Sequence, residues 1–318
     1  MRLWQKMMIF LARNKSVKSF MQSRSDMSEL ATRFVGGKNA REASEEAVNL
    51  KSRGIRSSLF YLGEYVENIS VINQTVTELQ TIAEYLSDAE LDIHISVDPT
   101  QIGYQVNRKI CHDNAIQIAE EIKKVIRRTD GSSNNFLMLD MEDSSVTAAT
   151  ISLYGKLKAG YLPTAVTLQA YLYRTENDLK KIIQDGGAVR LVKGAFAEGK
   201  DIAFTNRSEI DKNFMQLAEL MLSDEARHSG FYPIFGTHDD KLINRIIEIA
   251  DSRGWEKEKY EFEMLYGVRN DLQKKLVHKG EQVRVYLPFG TDWWSYAVRR
   301  VGESLKSAKF LLRSLVMK

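Results

Sequence analysis

The chain has 318 residues, 43% hydrophobic and 27% charged, with a formal charge of +3, which excludes a disordered chain and gives no case for a nucleic-acid partner. A single cysteine, Cys111, excludes an internal disulfide and fits a reducing compartment. With 19 Gly and 4 Pro the chain is neither collagen-like nor linker-rich, and no apolar run reaches the roughly 18 residues of a membrane span.

Residues 1–25 carry Arg2, Lys6, Arg13, Lys15, Lys18 and Arg24 and no acid. The apolar stretch Met7–Ala12 is short, Arg13 follows it, and no small-residue cleavage site appears, so a secretory signal is not expected. Two readings stand: an amphipathic helix capping the domain, or a basic helix resting transiently on anionic lipid at the inner face of the membrane. The expected location is cytoplasmic.

From there short β-branched or aromatic runs alternate with helix-period segments. The strand runs are Ser57–Leu62, Leu91–Val97, Asn135–Leu139, Thr164–Leu168, Ala188–Val192, Pro233–Phe235, Tyr260–Leu265 and Val283–Leu287. Several lack polar alternation, as expected for strands covered on both faces of a parallel sheet. Between them, Val76, Leu79, Ile82, Ala83 and Leu86 form one helical stripe, and Ala115, Ile118, Ala119, Ile122 and Val125 a second. Ile210, Phe214, Leu217, Ala218 and Met221 form a third, opened by Ser208 with Asp211 three residues later as a capping pair. Ile243, Ile246, Ile247 and Ala250 form a fourth. Pro99, Pro163, Pro233 and Pro288 all fall at strand edges and none inside a helix.

Eight strands alternating with helices predict a closed, distorted (β/α)8 TIM-type barrel over residues 51–318, with residues 1–50 as an N-terminal helical arm. An open doubly wound sheet is the competitor, but it usually carries a Gly-rich dinucleotide loop after its first strand. Neither G-x-G-x-x-G nor G-x-x-x-x-G-K-[ST] occurs.

Functional residues of such a barrel sit at the C-terminal ends of its strands. Reading there gives Glu64, Asp98, Asp140 with Glu142, Gln169 with Tyr171, Lys193, Thr237 with His238, Tyr266 and Tyr286. Three segments stand out. In Arg190-Leu-Val-Lys-Gly-Ala195 two cations flank a strand end and Gly194 lets backbone approach a ligand; the segment suits an anionic ligand or an electron-rich ring, or else a structural ion pair. In Phe235-Gly-Thr-His238 the histidine can serve a cofactor or be a satisfied structural residue. No H-E-x-x-H or Cys/His cluster points to a metal, and none is expected. In the stretch Tyr286–Glu303, Arg299 and Arg300 can form a fork for a carboxylate or lie on a solvated helix face, with Arg299 and Glu303 as an i,i+4 pair.

These segments, in this order, resemble the proline dehydrogenase family in its short, single-function bacterial form. The resemblance also takes in Leu62-Gly-Glu64, Leu139-Asp-Met-Glu142, Leu168-Gln-Ala-Tyr171, Glu261–Gly267 and Gly290-Thr291, and it spans about residues 30–315. It implies a barrel holding FAD without a Rossmann loop. It further implies oxidation of L-proline to Δ1-pyrroline-5-carboxylate by hydride transfer from C5 to flavin N5, with electrons passed to a quinone. By position, Arg190 lies beside flavin N5, and Met141, Gln169, Val192, Lys193, Gly194, Thr237 and His238 line the FAD. Arg299 and Arg300 clamp the substrate carboxylate, with Glu64 pairing to the clamp as a gate. Asp140, Leu265, Tyr286, Tyr296 and Glu303 complete the pocket, in which Asp98 also stands.

Three positions depart from the family pattern. Asp98, in Ser96-Val-Asp-Pro-Thr-Gln101, stands where the family has a lysine; Phe60 replaces an aspartate; and Phe196 replaces a tyrosine. At an effective dielectric of 20 and about 4 Å, a unit-charge contact is on the order of 4 kcal/mol, so an inward Asp98 changes the pocket. Either Asp98 points away and proline is the substrate, or the pocket is retuned for another cyclic or secondary amine. Two readings from other classes remain: a lyase with Lys193 as Schiff-base lysine, and a binding barrel without turnover.

Overall fold

The structure is a computed structural model that describes residues 33–63, 65–126, 134–294 and 296–297. The helix that leads into the sheet, α1 (Ala40–Ser52), is capped by Asn39, whose side chain accepts the Glu42 N–H. Ala40, Ala43, Ala47 and Leu50 are its buried stripe. The predicted arm boundary at residue 50 falls inside this helix.

After α1 the chain alternates strand and helix: β1 (Arg56–Tyr61), α2 (Ile69–Asp88), β2 (His94–Val97), α3 (Arg108–Val125), β3 (Phe136–Leu139), α4 (Ser144–Ala159), β4 (Thr164–Gln169), α5 (Thr175–Gln184) and β5 (Ala188–Val192). It continues with α6 (Arg207–Met221), the short α7 (Asp224–Ser229), β6 (Tyr232–Gly236), α8 (Asp240–Ser252), β7 (Glu261–Leu265), α9 (Asn270–His278) and β8 (Val283–Phe289). All eight predicted strands are present. They pair in parallel in sequence order, and β8 closes on β1 from Arg56↔Arg284 to Tyr61↔Phe289. The predicted (β/α)8 barrel is the observed fold.

The boundaries moved where polar residues set them. The second strand starts at His94 rather than Leu91 because Asn135 Oδ1 accepts the Ile93 N–H at 2.8 Å, ahead of the first ladder pair. Helix α6 is capped by Asn206, not Ser208: Asn206 Oδ1 accepts the Ser208 N–H at 2.9 Å, so Ser208 lies in the first turn. Pro233 and Pro288 lie near the ends of β6 and β8, paired with Val189 and Phe60; β6 runs one residue further at each end than predicted and β8 two residues further at its C-terminal end.

The four helical stripes read from the sequence pack on the outside of the sheet; Leu79, Ile82, Ala83, Leu86, Ala115, Ile118, Ala119, Phe214, Ile243 and Ile246 are fully buried there. Strand residues pointing outward (Leu59, Ile95, Leu137, Val166, Val189, Phe235, Phe262, Val285) complete this shell. The alternate residues fill the lumen, and their character is split. On β3 to β6, Met138, Ala165, Ala188 and Ile234 make a small apolar cluster. On β7, β8, β1 and β2, Glu261, Glu263, Arg284, Ser58, His94 and Ser96 are buried and polar.

Candidate active site

The C-terminal mouth of the barrel is organised around Arg190, the third residue of β5, only 4% exposed. Its guanidinium is bonded on every side. Nε donates to Thr167 Oγ1 at 3.1 Å, Nη1 to Glu263 Oε1 at 2.5 Å, and Nη2 to Asp140 Oδ1. Both terminal nitrogens also donate to Ser96 Oγ at 3.2 Å. Arg190 packs against the Tyr286 ring, 5.1 Å from its centroid.

Asp140 follows β3 directly and is equally saturated. It accepts Arg190 and, at 3.1 Å, the Thr167 hydroxyl on Oδ1; the Tyr286 hydroxyl donates to Oδ2 at 2.9 Å. Tyr286 in turn stacks on Phe60, centroids 5.3 Å apart and planes at 29°. Burial pushes the Tyr286 hydroxyl well above its ordinary range, and the charge of Asp98 pushes it further, while Arg190 opposes both. Tyr296 acts on Tyr286 in the same direction as Asp98 and is itself buried. Burial raises the Glu263 carboxyl as well, with Arg190 opposing.

A second group of predicted residues lines the rim from β4 to β7. Gln169 Nε2 donates to the Met141 carbonyl at 3.3 Å and the Glu142 carbonyl at 3.1 Å, which leaves its buried Oε1 with no protein partner. The Ala170 N–H donates to the Val192 carbonyl at 2.7 Å and the Tyr171 N–H to the Lys193 carbonyl at 3.0 Å, so the two strand ends run on together. Gly194 has φ +109°, and a Cβ there would strike the Tyr171 ring; only glycine fits this left-handed, closely packed position. Thr237 Oγ1 accepts the Asp239 N–H at 3.2 Å. His238 Nε2 accepts the Leu265 N–H at 2.9 Å, which places the ring proton on Nδ1. Lys193 is held by Asp211 and, at 3.3 Å, by Asp239. An amine nucleophile wants a desolvated, apolar pocket; two carboxylates around Lys193 are the opposite environment, so the geometry disfavours the Schiff-base reading.

The structure therefore bonds Asp140, Arg190 and Tyr286 together, with Asp98 and Tyr296 acting on Tyr286 through their charge, and sets Met141, Gln169, Val192, Lys193, Gly194, Thr237, His238 and Leu265 along the adjoining rim. Glu64, Arg299, Arg300 and Glu303 lie outside the described residues. Sequence reasoning missed the lower partners of Arg190, namely Ser96 and Glu263, and beneath them Ser58, His94, Glu261 and Arg284. Their signal was present: on β7 and β8 polar residues recur at every second position, and in a closed barrel with helices outside, those positions face the lumen.

A parallel (β/α)8 barrel with a guanidinium, a carboxylate and a phenol joined at its C-terminal mouth defines the class, a barrel with an arginine-centred site. The sequence profile of the family described as proline dehydrogenase matches residues 43–313. Proline dehydrogenase 2 of Bacillus subtilis (strain 168) is 32% identical over 289 residues, covering 91% of each chain. Proline dehydrogenase of Deinococcus radiodurans is 30% identical over 319 residues, covering 99% of this chain and 98% of that one. Among solved structures, proline utilization A (PutA) from Bdellovibrio bacteriovorus, inactivated by N-propargylglycine, superposes with a TM-score of 0.78 at 20% identity, over 98% of this chain and 39% of that one; this likeness concerns the fold. The chain belongs to the proline dehydrogenase family.

Proposed function

We propose that the protein is an FAD-dependent dehydrogenase that oxidises L-proline to Δ1-pyrroline-5-carboxylate and passes the electrons to a quinone. The observation that carries this reading is the Arg190–Asp140–Tyr286 constellation at the barrel mouth of a proline dehydrogenase family member. The rim fits the cofactor: a buried Gln169 carbonyl oxygen without a protein partner, a glycine-only backbone turn at Gly194, and a histidine with a fixed tautomer. Met141, Gln169, Arg190, Val192, Lys193, Gly194, Thr237 and His238 would hold it. When bound, FAD supplies a hydride acceptor at N5 for the hydrogen on the substrate's C5.

This chain's own residues then have defined tasks. Arg190 keeps a fixed positive charge next to the centre that gains negative charge, and its saturated bonds spare it reorganisation during the reaction. Asp140 and Thr167 hold that guanidinium in place. The Tyr286 and Phe60 rings wall the mouth and exclude water. Arg299 and Arg300 clamp the substrate carboxylate, which contributes part of the ~7–11 kcal/mol open to ideal positioning. Among the matched positions no strong general base stands ready for the substrate amine, and solvent takes its proton.

The test is a visible spectrum of the purified protein followed by anaerobic addition of L-proline. Flavin bands that bleach support the reading; a colourless protein, or flavin that no amine reduces, refutes it. A second reading rests on charge: Asp98 stands where it helps raise the Tyr286 hydroxyl. A cyclic amine carrying a cation or hydrogen-bond donor opposite Asp98 would suit it. Flavin that stays oxidised with proline and bleaches with such an analogue selects that alternative. A liposome flotation assay with and without residues 1–25 tests membrane contact; equal behaviour discards it.

A further inference from the structure

The lumen beneath Arg190 holds a chain of hydrogen bonds, and satisfying every buried proton gives it one direction. Ser96 Oγ accepts from both Arg190 Nη1 and Nη2. With its acceptor positions filled, its own proton must go to Ser58 Oγ, 3.0 Å away. Ser58 Oγ accepts that proton and its own needs an acceptor, which His94 Nδ1 at 2.8 Å supplies when the ring proton sits on Nε2; the reverse direction would leave the buried Ser58 proton without a partner. His94 Nε2 has no protein partner and the residue is fully buried; Glu263 Oε2 has none either, and that residue is 3% exposed. One ring nitrogen of His94 and one oxygen each of Glu261 and Glu263 lie within 4.8 Å of one another, and a water between His94 Nε2 and Glu263 Oε2 would satisfy both. Glu263 Oε1 closes the loop by accepting Arg190 Nη1 at 2.5 Å.

The same three side chains look like ligands for a metal ion, but their bonding opposes one. Both Glu261 oxygens accept N–H groups of Arg284, at 2.6 and 3.1 Å, and Arg56 lies 3.8 Å from one of them. Guanidiniums occupy the side from which a cation would be held. Burial and the charges of Arg284, Arg190 and Arg56 favour the neutral His94 ring; the carboxylates of Glu261 and Glu263, which also face it, oppose them, and the balance stays on the neutral side.

We propose that Ser96, Ser58, His94 and Glu263 close a hydrogen-bonded ring with Arg190 through one internal water, and that they are positioning residues which fix the guanidinium against Tyr286. The catalytic half of this proposal rests on the FAD-dependent reading; the ring itself does not. Glu263 is the member with the largest leverage, since it carries the charge that balances Arg190 from the lumen side. Without it the guanidinium is held by Asp140 alone among carboxylates, and more of its positive charge acts on the cofactor.

Two measurements decide. The first is 15N NMR of the His94 ring in the flavin-free full chain. The expected result is a neutral ring protonated on Nε2 that does not titrate between about pH 5.5 and 8.5, where an ordinary histidine would. Ser58→Ala, a small change of volume, is expected to abolish that preference. A native ring protonated on Nδ1, or one that titrates in this window, overturns the ring. The second uses the FAD-loaded enzyme. Glu263→Gln is expected to lower kcat by roughly tenfold to a hundredfold, to change KM for proline by less than about threefold, and to move the flavin midpoint potential in the positive direction. Ser96→Ala, which removes no charge, is expected to lower kcat with the potential unmoved. A Glu263→Gln enzyme with native kcat and native potential overturns the positioning role. Should the native protein take up no flavin, the FAD reading fails on its own, and the His94 measurement still decides the ring.

Discussion

Replacing Tyr286 by phenylalanine isolates one bond at the centre of the site. The substitution keeps the stack on Phe60 and the contact of the ring with Arg190, and deletes only the hydroxyl that donates to Asp140 Oδ2 at 2.9 Å. A hydrogen bond to a charged acceptor contributes about 1.5–3 kcal/mol, and the buried Asp140 oxygen is left without its donor. Asp140 keeps Arg190 and Thr167, so the loss stays below the ~3–5 kcal/mol of breaking a buried ion pair. Urea unfolding monitored by circular dichroism is expected to show a loss of about 1.5–3 kcal/mol at unchanged m-value. If the hydroxyl also holds Asp140 and Arg190 in their reactive orientation, kcat/KM for proline falls by about tenfold for each 1.4 kcal/mol of that support lost in the transition state. Tyr286→Ala, which removes the ring contacts as well, is expected to be worse in both measurements. A phenylalanine variant as stable as the native chain would refute this bond energy. One that is destabilised yet fully active would show that the constellation is scaffold rather than machinery.

Further outcomes are expected. His94 is held neutral by burial and by Arg284, Arg190 and Arg56, so its pKa in the folded chain lies well below 6.5. Below about pH 6.5 the unfolded chain therefore binds a proton that the native one refuses, and stability falls as the pH drops, by up to about 1.4 kcal/mol per unit. His94→Gln removes this contribution; urea midpoints at pH 7, 6 and 5 that stay parallel to those of the native chain would contradict it. Gly194→Ala forces a side chain into a left-handed position against the Tyr171 ring, and the backbone strain of about 1–2 kcal/mol alone predicts roughly tenfold weaker FAD retention, read by flavin fluorescence on dilution. Arg299→Ala is expected to cost about 2–5 kcal/mol of substrate binding with the flavin spectrum unchanged; equal turnover parameters would remove the clamp assignment.

The outer shell of the fold was legible because its physics is periodic. Parallel strands covered on both faces leave apolar runs such as Ala188–Val192, and the stripes of α2, α3, α6 and α8 recur at helical spacing and pack where expected. The upper rim was legible through residue types at strand ends, and Arg190, Asp140 and Tyr286, named separately, prove to be bonded together. The lumen was not. In Glu261-Phe-Glu-Met-Leu265 the alternation reads most simply as polar residues facing water. Only closure of the barrel turns that polar face inward, where Arg284 meets Glu261 and Arg190 meets Glu263. The residues meeting there are 23 and 73 positions apart, and no local pattern joins them. The missed cap at Asn206 has the opposite cause: the signal was local, but Ser208 competed with a better-placed acceptor two residues earlier.

The polar half of the lumen also bears on why the fold holds a charged network at all. Met138, Ala165, Ala188 and Ile234 show that this barrel can fill its interior with apolar side chains where nothing else is required. Buried ion pairs seldom add stability over a well-packed apolar replacement, because desolvation offsets most of the attraction. The charges nevertheless crowd under β7, β8, β1 and β2, with Arg284 and Glu261 both fully buried. They lie directly below Arg190, whose five N–H groups are all taken by Thr167, Ser96, Asp140 and Glu263. A guanidinium so enclosed acts by the field of a charge fixed in place rather than by reaching for a substrate. A fixed charge needs a support that cannot relax, and the network beneath Arg190 has the form such a support requires.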